Sequence, residues 1–116
     1  MSAARTVLSG ALALALALPA GGDDLTVVRV EARMFEYRPA EIKLKKGVPV
    51  VLELVSRDRK HGFNVPALKL RADVTPKAPV RVMLTPDKAG RFPFHCDVFC
   101  GSGHEGMTGV IVVEDD

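Results

Sequence analysis

Two thiols, an imidazole and a thioether lie close together in this chain, at Cys96, Cys100, His104 and Met107, spaced C-x3-C-x3-H-x2-M. The stretch takes in both cysteines and draws on only 3 histidines and 4 methionines in all. Soft sulfur donors beside one imidazole make a ligand set that copper favours, Cu(I) above all. Glycines at 101, 103, 106 and 109 let such a loop fold back tightly. Two other chemistries remain open for the same residues. A Cys96–Cys100 disulfide would close a very short loop and gain little by it, and it leaves the His and Met spacing unexplained. Structural zinc sites use Cys and His pairs and have no use for Met. The rest of the chain reads as a scaffold for this loop, with one more ligand supplied from a distance.

The segment resembles the ligand loop of binuclear copper (CuA) domains, as in cytochrome c oxidase subunit II and nitrous oxide reductase. In that family an upstream histidine completes the site within a D-x-x-H-G-F-x-x-P context. Here Asp58-Arg59-Lys60-His61-Gly62-Phe63-Asn64-Val65-Pro66 is a close match, and the resemblance covers nearly the whole chain after residue 22. It implies that Cys96 and Cys100 bridge two copper ions. His61 and Met107 then go to one copper, and His104 with the backbone carbonyl of Val98 to the other. Without Cys96, the set Cys100, His104, Met107 and His61 would be that of a mononuclear blue-copper site. Phe63 and Phe99 are expected to screen the centre from water.

These ligands need a rigid base. After residue 22 the chain alternates apolar and polar residues in short runs separated by Gly, Pro and Asp, the pattern of an antiparallel sandwich or barrel. Strands are expected over Leu25–Ala32, Glu41–Lys45, Val48–Val55, Ala67–Ala72, Val80–Leu84, Arg91–Cys96 and Thr108–Glu114, with a turn at Pro86–Gly90. The last two strands bracket the metal loop. No useful helical periodicity appears, so the fold class is all-β: a single Greek-key β-sandwich of seven or eight strands, which the resemblance implies is cupredoxin-like. Alternation through Phe92, Phe94 and Cys96 turns Cys96 inward and His95 outward, which leaves His95 out of the ligand set. Met34 and Met83 are expected in the core.

The chain has 116 residues, room for one small domain. Residues 1–22 read as a secretory leader: Arg5 near the start, an uncharged Ala/Leu run over Val7–Leu18, then small residues. The run is short for a membrane span, which needs about 20 apolar residues. No cysteine near residue 20 offers a lipid anchor. Residues 23–116 are then the copper-binding domain, in the periplasm or otherwise exported, with no stable membrane insertion once the leader is cut. Cutting after Ala20 removes Arg5 alone from 16 basic and 14 acidic residues. The near balance that results excludes a basic nucleic-acid-binding stripe.

The expectation is an exported electron carrier with two copper ions in a CuA-type centre, passing single electrons between redox partners such as c-type cytochromes or a terminal oxidase or reductase. It is not an enzyme in its own right, because every ligand position is filled. Arg57, Arg59 and Lys60 flank His61 as a positive rim for an acidic partner. Copper delivery to another cuproprotein is the alternative from a different class. Val98 stands where oxidase subunit II commonly has Glu, Trp is absent, and the two transmembrane helices of a subunit II are missing. A free-standing copper domain is therefore expected.

Overall fold

The computed structural model describes residues 25–99 and 101–115. The expected leader, residues 1–22, and Cys100 lie outside the described residues. Among the described residues, nine strands form two sheets. The first has the order β2-β1-β4-β7, from β1 (Thr26–Arg33), β2 (Glu36–Arg38), β4 (Val50–Ser56) and β7 (Val80–Leu84). The second has the order β3-β9-β8-β5-β6, from β3 (Glu41–Lys45), β5 (His61–Val65), β6 (Leu70–Val74), β8 (Gly90–His95) and β9 (Thr108–Glu114). The pairs β1–β4 and β3–β9 are parallel, and the rest are antiparallel. Among the described residues no helix is long and apolar enough to cross a membrane.

Side-chain alternation builds the core. Val50, Leu52 and Leu54 of β4 face inward beside Val30 and Ala32 of β1. Opposite them stand Ile42, Leu44, Ile111, Val113, Phe92 and Phe94, with Ile42 paired across Ile111 and Leu44 across Val113. Each such buried aliphatic or aromatic side chain contributes about 1.5–3 kcal/mol. Tyr37 crosses from β2 to the other sheet, edge-on to Phe94 at 4.8 Å and to Phe63 at 6.0 Å. Its hydroxyl donates to the Gly62 carbonyl at 2.7 Å. This aromatic trio sits directly behind the strand that starts with His61.

Strands β3, β7 and β9 have the bounds expected from alternation, and other expectations need correction. The segment around His61, where no strand was expected, is strand β5. Ala67–Ala72 is not one strand: Pro66–Leu68 is a 3-10 turn, Lys69 takes a left-handed φ of 54°, and β6 begins only at Leu70. The short β2, with Tyr37 its only apolar residue, was not expected at all. Met83 is also no core residue, being 68% exposed. It shares the outward phase of Arg81 while Val80, Val82 and Leu84 point inward. Met34, at the β1–β2 turn, is exposed as well.

Candidate metal centre

His61 enters the site at the first residue of β5, after the turn Arg57–Lys60. Its side chain is 0% exposed. A buried imidazole needs hydrogen-bond partners, and Nε2 lies 2.7 Å from Asp58 Oδ1. The other Asp58 oxygen accepts the Met34 N–H at 2.8 Å, and Oδ1 also accepts the Arg59 N–H at 2.7 Å. Burial pushes the Asp58 carboxyl up, but the hydrogen bonds from Met34, His61 and Arg59 outweigh it and hold the group below its ordinary value. An ionised Asp58 accepts the Nε2 proton, which in the neutral ring leaves the Nδ1 lone pair free. That nitrogen faces Cys96 Sγ at 4.0 Å.

Cys96 follows β8 and is buried. Its thiol donates to the Val98 carbonyl at 3.1 Å and accepts the Gly62 N–H at 3.3 Å. The Cys96 N–H donates to the Met107 carbonyl at 3.1 Å, closing the base of the β8–β9 loop. Met107 is wholly buried. His104 opens a 3-10 turn, His104–Gly106, fixed by Met107 N–H donating to the His104 carbonyl at 3.1 Å. The His104 ring is half-buried and lies 5.8 Å from the Phe99 ring.

The structure thus brings together His61, the Cys96 sulfur and the Val98 carbonyl, with Met107 packed at the loop base and His104 at its outer edge. Cys100 lies outside the described residues. Among the described residues no three His, Cys, Asp or Glu side chains gather into a metal-holding group. The convergence present has another composition: one imidazole nitrogen, one sulfur and one carbonyl. That mixture suits copper, which accepts soft sulfur and imidazole together.

Phe63, beside His61, is fully buried, but Phe99 is 77% exposed and cannot screen the site. Phe99 follows the inward Cys96 and Val98 by an odd step and projects outward. The ring over the loop belongs to Phe35 at the β1–β2 turn. A Cβ on Gly101 would come within 2.8 Å of that ring, and one on Gly103 within 2.5 Å. Those two glycines therefore leave room for Phe35. The expected positive rim is largely answered within the chain: Arg57 pairs with Glu31 at 2.8 Å and Lys60 with Asp73 at 3.6 Å. His95 is half-buried, on the opposite phase of β8 from Phe94 and Cys96. Sequence reasoning missed Asp58 and Phe35 as parts of the site. The spacing Asp58-x2-His61 was a usable signal for the first; nothing marked Phe35.

Residues 6–113 match the family model described as a cupredoxin-like domain. Cytochrome c oxidase subunit 2 of Thermus thermophilus is 33% identical over 94 residues, covering 81% of this chain and 70% of that protein. Nitrous-oxide reductase of Ralstonia nicotianae is 34% identical over 91 residues, covering 75% of this chain but only 14% of the reductase. Among solved structures, a heme-copper terminal oxidase dimer contains a chain that superposes with a TM-score of 0.69 at 28% identity, covering 79% of this chain and 67% of that one.

Proposed function

This chain belongs to the cupredoxin-like domain family, and from that premise we propose that it carries single electrons on a binuclear copper centre of the CuA type. The observation that supports this most is the approach of His61 Nδ1 and the Val98 carbonyl to one buried sulfur, Cys96 Sγ. His61, Cys96, the Val98 carbonyl, Cys100, His104 and Met107 would hold the two ions. Two copper ions held there would supply one-electron redox chemistry with little change at each bond.

The chain's own residues serve that end by staying still. Asp58 holds the Nε2 proton and so aims Nδ1 at the sulfur. The Gly62 N–H draws charge from Cys96 Sγ, and buried Phe63 keeps water from the inner side. The relatives are named an oxidase subunit and a reductase, which favours c-type cytochromes, a terminal oxidase or a reductase as partners. With residues 1–22 read as an export leader and 23–116 as the working domain, the exchange would take place in the periplasm or an equivalent exported space.

Metal analysis of the copper-loaded chain tests the reading: two coppers per chain, with spin resonance showing one spin on two nuclei. A reproducible single copper, or zinc in native material, overturns it. Cys96→Ser should still bind one copper through Cys100, His104, Met107 and His61, and Cys100→Ser should bind less well. Equal behaviour of the two variants removes the ranking of the cysteines. A carrier should also keep its copper when mixed with a metal-free acceptor protein; ready surrender would mark a delivery role instead.

A further inference from the structure

Asp97 stands between Cys96 and Val98, the two residues whose sulfur and carbonyl meet at the candidate centre, yet its carboxylate is held elsewhere. Arg71 Nε donates to Oδ2 at 2.6 Å and Arg71 Nη2 to Oδ1 at 2.8 Å, a two-pronged grip. Asn64 Nδ2 adds a third donor to Oδ2 at 3.0 Å. Asn64 of β5 and Arg71 of β6 are register partners, so both donors come from rigid neighbouring strands. The remaining Arg71 nitrogen, Nη1, is fixed by Asp73 at 2.7 Å. Gly62 completes the fit: Asp97 Oδ1 lies where a Gly62 Cβ would be. The Gly62 N–H is also the donor to Cys96 Sγ.

We propose that Arg71 is a positioning residue for the metal loop, acting through Asp97 to fix the direction of the Cys96 sulfur and the Val98 carbonyl. Two consequences follow from the geometry. A carboxylate one residue from a thiolate ligand is a competing hard oxygen donor and an uncompensated negative charge. The guanidinium fork removes it from both roles. The fork also stops the Cys96–Val98 backbone from turning about its axis, because Asp97 cannot rotate without breaking three hydrogen bonds. Lysine, a single-point cation, cannot reproduce this grip. Exposed ion pairs contribute little to global stability, so the effect of the fork should appear at the loop rather than in the melting midpoint.

The proposal rests on the copper reading for its purpose, and the test separates the two. Full chains carrying Arg71→Ala, Arg71→Lys or Arg81→Ala are compared with the unaltered chain. Arg81 is the control, since its pair with Glu53 at 3.0 Å lies on the other sheet. In the metal-free state, alkylation of Cys96, followed by mass spectrometry, should be several-fold faster in Arg71→Ala and unchanged in Arg81→Ala. In the copper-loaded state, Arg71→Ala should shift the copper absorption and spin-resonance spectra and speed copper loss to a Cu(I) chelator by about tenfold or more. Arg71→Lys should fold normally and restore neither property fully. Equal Cys96 alkylation rates and copper spectra in Arg71→Ala and the unaltered chain overturn the proposal, as does an equal effect from Arg81→Ala. If the unaltered chain binds no copper the copper reading fails, and the alkylation comparison still decides whether Arg71 holds the loop.

Discussion

His61 and His104 reach the candidate centre from opposite kinds of backbone. His61 opens β5, an inner strand of the second sheet. Its ring lies between Asp58 and Cys96, with no surface exposed. His104 rides a single 3-10 turn in the β8–β9 loop, half-buried beside an exposed phenylalanine. The first meets the side chains of Asp58 and Cys96; the second opens a local 3-10 turn. On the proposed reading, this difference would divide the labour of an electron carrier: the sheet side would fix geometry against change of charge, and the loop side would bring His104 within reach of another protein.

The largest expected effect breaks the sealed side. His61→Ala should remove or strongly alter the copper spectrum and lower metal-free stability by roughly 2 kcal/mol, because it leaves a cavity and strips Asp58 of its buried partner. His95→Ala should leave the spectrum nearly unchanged. Reversal of these two results would mean that the phase of β8 has been misread. Next in size, Asp58→Ala keeps every ligand but frees the His61 ring. Copper affinity should fall about 10–100-fold, with the loop fold retained. Unchanged affinity would show that Cys96 and the aromatic floor orient the ring without help.

Much of this division is visible in the chain itself, and the unread part has physical causes. Strands with clear alternation, such as Glu41–Lys45 and Thr108–Glu114, are legible because one face must be buried. The candidate metal loop stands out in the sequence because sulfur and imidazole donors are rare and closely spaced. β5 is hidden because its five residues include Gly62, small for a reason no pattern reveals: the Asp97 carboxylate fills the space of a side chain. Phe35 is hidden because its role depends on a turn of one sheet folding over a loop of the other. Phe99 misleads for the converse reason, since proximity in sequence to two ligands says nothing of the side to which its ring points.

Phe35 and Phe99 therefore sharpen the comparison on the loop side. Phe35→Ala should cost about 1 kcal/mol or more, since it uncovers the Gly101–Gly103 turn. Phe99→Ala should stay within about 0.5 kcal/mol, as expected for an exposed ring. Gly103→Ala alone should destabilise, because its Cβ would meet the Phe35 ring at 2.5 Å. In the Phe35→Ala background the same change should be tolerated. Additive effects in that double-mutant cycle would show that the ring and the glycine do not share one space.

The smallest effect concerns how the sealed side is tied to the first sheet. The turn carrying Asp58 is stapled to β1 twice at Arg57: its N–H donates to the Ala32 carbonyl at 3.0 Å, and its guanidinium donates to Glu31 at 2.8 Å. The hydrogen bond from Arg57 pulls the Glu31 carboxyl below its ordinary 4.5; burial opposes this, and the charges of Arg57, Arg33 and Arg29 add to the lowering. A carboxyl lowered by folding stabilises the fold above its unfolded value, and the contribution fades as pH falls through the folded one. Glu31→Gln should therefore lower the metal-free melting midpoint slightly at neutral pH. The difference from the unaltered chain should begin to shrink below 4.5 and vanish once Glu31 is protonated in the folded state. Added salt should shrink it too, since the pair is exposed. A difference that persists unchanged through acid would assign the effect to packing of the side chain and not to its charge.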